Sequence, residues 1–134
     1  MKHYSNVNDF SSSFKIIILI NAMCFLLGAI THWIHIWTGG LFPYHSVPFG
    51  FNLFLTSLAL LDLIICWLLI KRTTLGFMLG MLLTTVDLPV HVYLCNNYWN
   101  ECNVWSNSGI LLLMGFAVFL GVSALVYVIK IVAR

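Results

Sequence analysis

Two pairs of residues have the types and the spacing of a metal site built on facing helices. His32 and His35 are three positions apart in the sequence. Asp87 and His91 are four positions apart. Either spacing places two side chains on one helix face, which is how helical bundles build metal sites from helices that face one another. His45 follows in a short connection and is expected above the same cluster.

The cluster offers neutral imidazoles and a carboxylate, which are ligands that suit zinc, copper or iron. A haem is an alternative, held between a histidine of the first pair and His91, with Asp87 accepting a hydrogen bond from the ligating imidazole. Two simpler explanations stay open. Histidines near a membrane surface can contact water and headgroups, and Asp87 and His91 can satisfy each other through one hydrogen bond. Spacing alone does not separate these alternatives.

A further ionisable residue is expected deeper in the membrane, nearer its cytoplasmic side. Asp62 lies among apolar residues. An ionisable side chain in a membrane span is costly unless it is paired or hydrated, so it marks a functional site by default. Asp62, Asn21 and Asn52 are predicted to form a path for a proton or an ion.

The composition shows which elements must position these residues. Of the 134 residues, 61% are hydrophobic and 7% are charged, whereas about a quarter of the residues in an ordinary soluble domain are charged. This excludes a soluble enzyme, a disordered chain and a nucleic-acid binder. Four apolar stretches are long enough to cross a lipid bilayer as helices, near residues 14–37, 50–70, 73–95 and 109–130. The prediction is an all-α membrane protein with a single domain, a bundle of four transmembrane helices.

Basic residues are confined to the N-terminus, the second connection and the C-terminal end, as Lys2, Lys15, Lys71, Arg72, Lys130 and Arg134. None of these six lies in the first or third connection, residues 38–49 and 96–108. Because basic residues concentrate in cytoplasmic connections, both termini are expected in the cytoplasm and the His/Asp cluster on the exoplasmic side. The expected location is a plasma membrane, such as the bacterial inner membrane.

Two of the four cysteines lie at the third connection. Cys95 and Cys102 are expected on the exoplasmic side, where an oxidising environment would join them in a disulfide that pins this connection across the bundle. Thiol exchange is an alternative, although the C-x-x-C spacing typical of redox pairs is absent from the sequence. Cys24 and Cys66 lie within apolar stretches and are predicted to be buried apolar residues.

Three functions fit these features. The first is the binding of a metal ion, or of a coupling cation or proton, at the His/Asp cluster of a small transporter or accessory subunit. The second is a membrane enzyme that acts on a lipid or quinone through a metal or haem at this cluster, although Glu101 is the only other acid expected there. The third is a purely structural subunit. Since four helices enclose little volume, we expect a homo-oligomer or a subunit of a larger membrane complex.

Overall fold

The computed structural model describes residues 6–99 and 102–132 of the chain. A 3₁₀ helix at Val7–Asp9 precedes four long helices: α1 (Ser12–Gly39), α2 (Phe49–Lys71), α3 (Thr73–Asn97) and α4 (Ser108–Val132). All four are long and apolar enough to cross a membrane. The predicted all-α four-helix membrane bundle is therefore confirmed, and the protein is an integral, multi-pass membrane protein. Lys2, Glu101 and Arg134 lie outside the described residues.

The helix ends lie within a few residues of the predicted ends, and local chemistry explains them. Gly40 has a φ of +83°, a left-handed conformation that glycine adopts readily, and it ends α1. Asn107 directly precedes α4, and its Oδ1 accepts a hydrogen bond from the main-chain N–H of Ile110 at 3.1 Å. This is the geometry of an N-cap, in which a side-chain oxygen pairs with a main-chain N–H of the first helical turn.

The helices α2 and α3 form a tight hairpin. Arg72 alone separates them, and Thr73 Oγ1 donates a hydrogen bond to the Leu69 carbonyl at 2.9 Å. A Cβ atom on Gly76 would lie 2.5 Å from the main-chain nitrogen of Leu69. Only a glycine allows the two helix backbones to approach this closely, as in the small-residue contacts typical of membrane helices.

At one end of the bundle, aromatic rings join α1, α3 and α4. We call this the basic end, because Lys15, Lys71, Arg72 and Lys130 lie there. The ring centroid of Tyr127 lies 5.1 Å from that of Phe77 and 6.2 Å from that of Phe14. Contacts of this kind stabilise a pair by about 0.5–1.5 kcal/mol beyond the burial of area. The basic end is therefore closed by packing.

At the opposite end, which we call the disulfide end, the two connections are fixed over the helices. Cys95 and Cys102 are joined by a disulfide, with their Cα atoms 5.2 Å apart, and this prediction is confirmed. The Asn52 amide holds the α1–α2 connection: its Oδ1 accepts from the Tyr44 N–H at 3.3 Å, and its Nδ2 donates to the Phe42 carbonyl at 3.2 Å. The side chains of these connections are thereby held over the ends of the helices.

Cys24 and Cys66 are free, half-buried thiols within α1 and α2. Neither lies on the disulfide-end connections. They are less buried than the sequence predicts, and a packing role for them stays a prediction.

Candidate functional site

A cavity of about 560 Å³ lies in the half of the bundle toward the disulfide end. It lies between the four helices, and cavities of about 300–1,000 Å³ are typical of sites for small organic ligands. Most of its wall is apolar. The cavity is lined by one cysteine, Cys24, and by six other titratable side chains, those of His32, His35, Tyr44, Asp62, Asp87 and His91. The structure thus brings four of the five predicted metal ligands, and Asp62, to one cavity.

Asp62 is held at the cavity by the backbone of α1. The residue is only 7% exposed, and a Cβ atom on Gly28 would lie 2.7 Å from its Oδ2. The missing side chain at Gly28 therefore makes the space that this carboxyl occupies. Among residues 6–99 and 102–132, no side chain or main-chain group donates a hydrogen bond to the Asp62 carboxyl. The carboxyl is accordingly available to a ligand in the cavity.

Asp87 and His91 lie one helical turn apart on α3 and contact each other. His91 Nδ1 lies 3.1 Å from the Asp87 carbonyl oxygen, to which it hydrogen-bonds. The same nitrogen lies 3.0 Å from Asp87 Oδ1. The hydrogen on His91 Nδ1 is directed to the Asp87 main-chain carbonyl. Asp87 Oδ1 therefore contacts the imidazole ring but is buried without a hydrogen bond from any described residue. A carbonyl only accepts, so His91 Nδ1 carries a proton and Nε2 remains for the cavity.

The α1 histidines meet Tyr44 of the first connection. His32 Nδ1 lies 3.0 Å from the Tyr44 hydroxyl, and the His35 and Tyr44 rings lie 5.5 Å apart. Burial, and then the negative charge of Asp87, raise the pKa of Tyr44 to about 12. Tyr44 therefore keeps its proton at physiological pH and provides a neutral hydroxyl to the site.

Trp99 covers the cavity from the third connection, between α3 and α4. Its ring lies 5.8 Å from the His91 ring in an edge-on arrangement, and it lines the cavity. The disulfide between Cys95 and Cys102 spans Trp99 in the sequence and restrains it there. This role could not be predicted from the sequence, because a tryptophan at this level of a membrane protein fits an interfacial belt equally well. Tyr44 also lines the cavity, and its role could not be predicted either, because a tyrosine at this level fits an interfacial belt equally well.

The predicted metal centre is not preformed. Within the described residues, no three His, Cys, Asp or Glu side chains are grouped so that they could hold one metal ion. His45 is exposed on the first connection and does not line the cavity. Binding of zinc, copper, iron or haem by His32, His35, Asp87 and His91 thus stays a prediction.

The three residues of the predicted proton or ion path, Asn21, Asn52 and Asp62, lie in separate places in the bundle. Asn21 is fully buried between α1 and α4, away from the cavity lining, where its Nδ2 donates to Ser123 Oγ at 3.1 Å. Asn21 Oδ1 has no hydrogen-bond partner among the described residues. Asn52 uses both ends of its amide to hold the first connection. Of the three, only Asp62 faces the cavity.

The site is therefore an apolar cavity with carboxyl groups on two helices and with three histidines, two on α1 and one on α3. Within the described part of the chain, no lysine or arginine lines it. Such a site favours positive charge, because no permanently charged cation of the described residues faces its carboxyl groups, and Asp62 receives no hydrogen bond from them. The sequence matches no family model, and no significant match is found among curated proteins or solved structures.

Proposed function

We propose that this protein binds a cation in exchange for protons at the carboxyl groups of Asp62 and Asp87. In this proposal it acts as a small transporter or as an accessory subunit, in a plasma membrane such as the bacterial inner membrane. The observation that carries the proposal is the Asp62 carboxyl, which is buried, faces the cavity and receives no hydrogen bond from the described residues.

The physical reason is the cost of a bare charge in this place. A carboxylate that is removed from water must be neutralised, by a proton or by a cation that takes the proton's place. Asp87 adds a second carboxyl to the same cavity, and His91 contacts it at 3.0 Å. These neighbours give the site groups that can exchange protons when a cation enters or leaves.

The geometry favours this exchange over a resident transition-metal ion. A structural zinc site uses four ligands at about 2.0–2.3 Å, whereas no three candidate ligands converge among the described residues. The cavity of about 560 Å³ is also far larger than a bare ion. Metal binding would require the histidines of α1 and α3 to move together.

Proton release in weakly buffered detergent solution tests the proposal. Purified protein receives cations in turn (sodium, potassium, zinc, copper, iron and organic ammonium salts), and a pH-indicator dye records the protons released per chain. We expect release in the wild type and in Asp9→Asn, a control that removes one carboxylate at the basic end. Release should disappear in Asp62→Asn and decrease in Asp87→Asn. Equal release in all four proteins, or none with any cation, would contradict the proposal.

Elemental analysis provides the test for a resident metal. The wild type is compared with a His32→Ala/His91→Ala variant after identical purification. Near-stoichiometric zinc, copper or iron that disappears in the variant would replace the exchange proposal with a metal site. An absence of metal in both proteins leaves the exchange proposal in place.

A further inference from the structure

We infer that the cation is a lipophilic organic monocation with aromatic or bulky apolar groups. The inference rests on the proposed function, and it names the class of ligand that this site would take. It follows from four features of the cavity: its size, its walls, the number of its unpaired charges and the side on which it opens.

The size and the walls of the cavity argue against a small inorganic ion. An ion such as sodium must exchange its water ligands for oxygen ligands of the protein, and apolar walls cannot supply them. An organic cation spreads its charge over a larger volume and gains from the burial of its apolar surface. A cavity of about 560 Å³ accommodates a ligand of this kind.

Aromatic rings lie at both ends of the cavity. Phe25 and Phe116 meet edge to face at 5.1 Å on the side toward the basic end. Tyr44 and Trp99 line the other side. Ring faces attract cations by their quadrupole, and this attraction is strongest where water is excluded. The rings therefore suit a cation whose charge is carried within an apolar body.

The two carboxyl groups at the cavity differ in whether a histidine lies beside them. Asp87 already has His91 Nδ1 at 3.0 Å from its Oδ1. Asp62 has no such neighbour among the described residues, and the missing side chain of Gly28 leaves room for its carboxyl beside α1. One unpaired carboxylate matches one positive charge. We therefore assign the direct contact with the cation to Asp62.

The cavity opens between α1 and α4. Toward the basic end these helices are joined by the Asn21–Ser123 hydrogen bond at 3.1 Å and by the Phe25–Phe116 contact. Beyond that level, toward the disulfide end, Thr31 of α1 and Leu112 of α4 line the cavity and are exposed. His35 and Gly109, nearer the ends of these helices, also line the cavity and are exposed, so the opening extends from the disulfide end of the bundle into the membrane-spanning part of α1 and α4. A lipophilic ligand can reach the site from the bilayer.

The affinity should fall at low pH, given the groups that face Asp62. Among the described cavity-lining residues, the titratable groups are Cys24, His32 and His35 on α1, Tyr44 on the first connection, Asp62 on α2, and Asp87 and His91 on α3, while α4 contributes none. Protonation of a carboxyl removes attraction for a cation, and protonation of a histidine adds repulsion. Competition with one proton weakens binding about tenfold per pH unit below the pKa that governs it.

Equilibrium dialysis with radiolabelled tetraphenylphosphonium in detergent tests the inference. Tetraphenylborate has the same shape and the opposite charge, and triphenylphosphine oxide is an uncharged control. We expect saturable binding of the phosphonium at one per chain, weakened at least tenfold in Asp62→Asn and unchanged in Asp9→Asn. The borate and the oxide should show no saturable binding.

A second variant keeps the test decisive if Asp62→Asn does not fold, as judged by size-exclusion chromatography. Leu113→Trp fills the cavity from α4 without changing any charge, and it should also weaken phosphonium binding at least tenfold. Unchanged phosphonium binding in a folded Asp62→Asn or in Leu113→Trp, or equally tight binding of tetraphenylborate, would overturn the inference.

The proton-release assay separates the failure of this inference from the failure of the proposed function. If inorganic cations release protons through Asp62 while tetraphenylphosphonium does not bind, the ligand class is wrong and the exchange function stands. If no cation releases protons and the phosphonium does not bind, both proposals are wrong.

Discussion

Two single substitutions, Gly28→Ala and Gly76→Ala, are expected to affect ligand affinity and the free energy of unfolding separately. In Gly28→Ala, the new Cβ would lie 2.7 Å from Asp62 Oδ2, which is the end of a side chain. In Gly76→Ala, it would lie 2.5 Å from the Leu69 nitrogen and 2.6 Å from the Leu69 Cα, which are main-chain atoms. The two variants add the same methyl group to a membrane helix and differ in what must move.

The expected magnitudes follow from these neighbours. Ordinary contact begins near 3.4 Å, so the Asp62 oxygen must withdraw by roughly 0.7 Å in Gly28→Ala. The last torsion of an aspartate is broad, so this movement should cost less than about 1 kcal/mol of unfolding free energy. In Gly76→Ala the α2 and α3 backbones must separate, and overpacking of this kind costs about 1–3 kcal/mol. Because the moved carboxyl is the proposed cation contact, Gly28→Ala should weaken phosphonium binding by about three- to tenfold.

Unfolding in mixed detergent micelles with increasing sodium dodecyl sulfate gives the free energies, and equilibrium dialysis gives the affinities. We expect Gly76→Ala to lose stability while it retains near-normal affinity in its folded fraction, and Gly28→Ala to show the opposite. A stability loss in Gly28→Ala as large as that in Gly76→Ala would mean that the Asp62 carboxyl is rigidly held, and the reasoning about Gly28 would be wrong. Wild-type affinity in Gly28→Ala would refute the assignment of Asp62 as the cation contact.

Three further predictions concern the surroundings of the site. Cys102→Ser opens a disulfide with a sequence separation of 7, and loop-closure entropy predicts a loss of about 2.4 kcal/mol of unfolding free energy, which a reductant should reproduce in the wild type. Ser123→Ala removes an acceptor of Asn21 and should cost about 0.6 kcal/mol in the same unfolding assay, the average for side-chain hydrogen bonds between membrane helices. Since the pKa of Tyr44 is raised to about 12, an absorbance titration should show a late-ionising tyrosine component that is lost in Tyr44→Phe. Tyr44 ionises near pH 10 in the unfolded chain and only near pH 12 in the folded protein. Its ionisation therefore lowers the free energy of unfolding as pH rises from about 10 toward 12.

The sequence predicted the helices and the disulfide well because the relevant physics is local. A run of about 20 apolar residues with few charges specifies a membrane helix without knowledge of its neighbours. The pairing of Cys95 with Cys102 needed only their closeness in sequence and the absence of basic residues from their connection. The helical spacing of Asp87 and His91 likewise predicted that they share a face, and they contact each other at 3.0 Å.

The distances between helices could not be predicted in the same way. Spacing places His32 and His91 on the inner faces of two helices, but the separation of those faces depends on packing along their whole length. Gly28 shows the difficulty: its importance lies in the 2.7 Å between its missing Cβ and Asp62 Oδ2, a residue 34 positions later in the chain. Tyr44 and Trp99 enter the site from connections, whose paths the hydrophobic pattern does not specify.

The uneven packing of the bundle explains why the site lies where it does. At the basic end, the aromatic contacts of Tyr127 with Phe14 and Phe77 close the space between helices. The Asn21–Ser123 hydrogen bond joins α1 and α4 within the membrane. Toward the disulfide end these two helices leave the cavity between them, and fixed connections rather than helix contacts cover it. A proposed transporter of this design would have its barrier at the basic end, because a cation at Asp62 could pass that way only if the bond between Asn21 and Ser123 and the aromatic contacts separated.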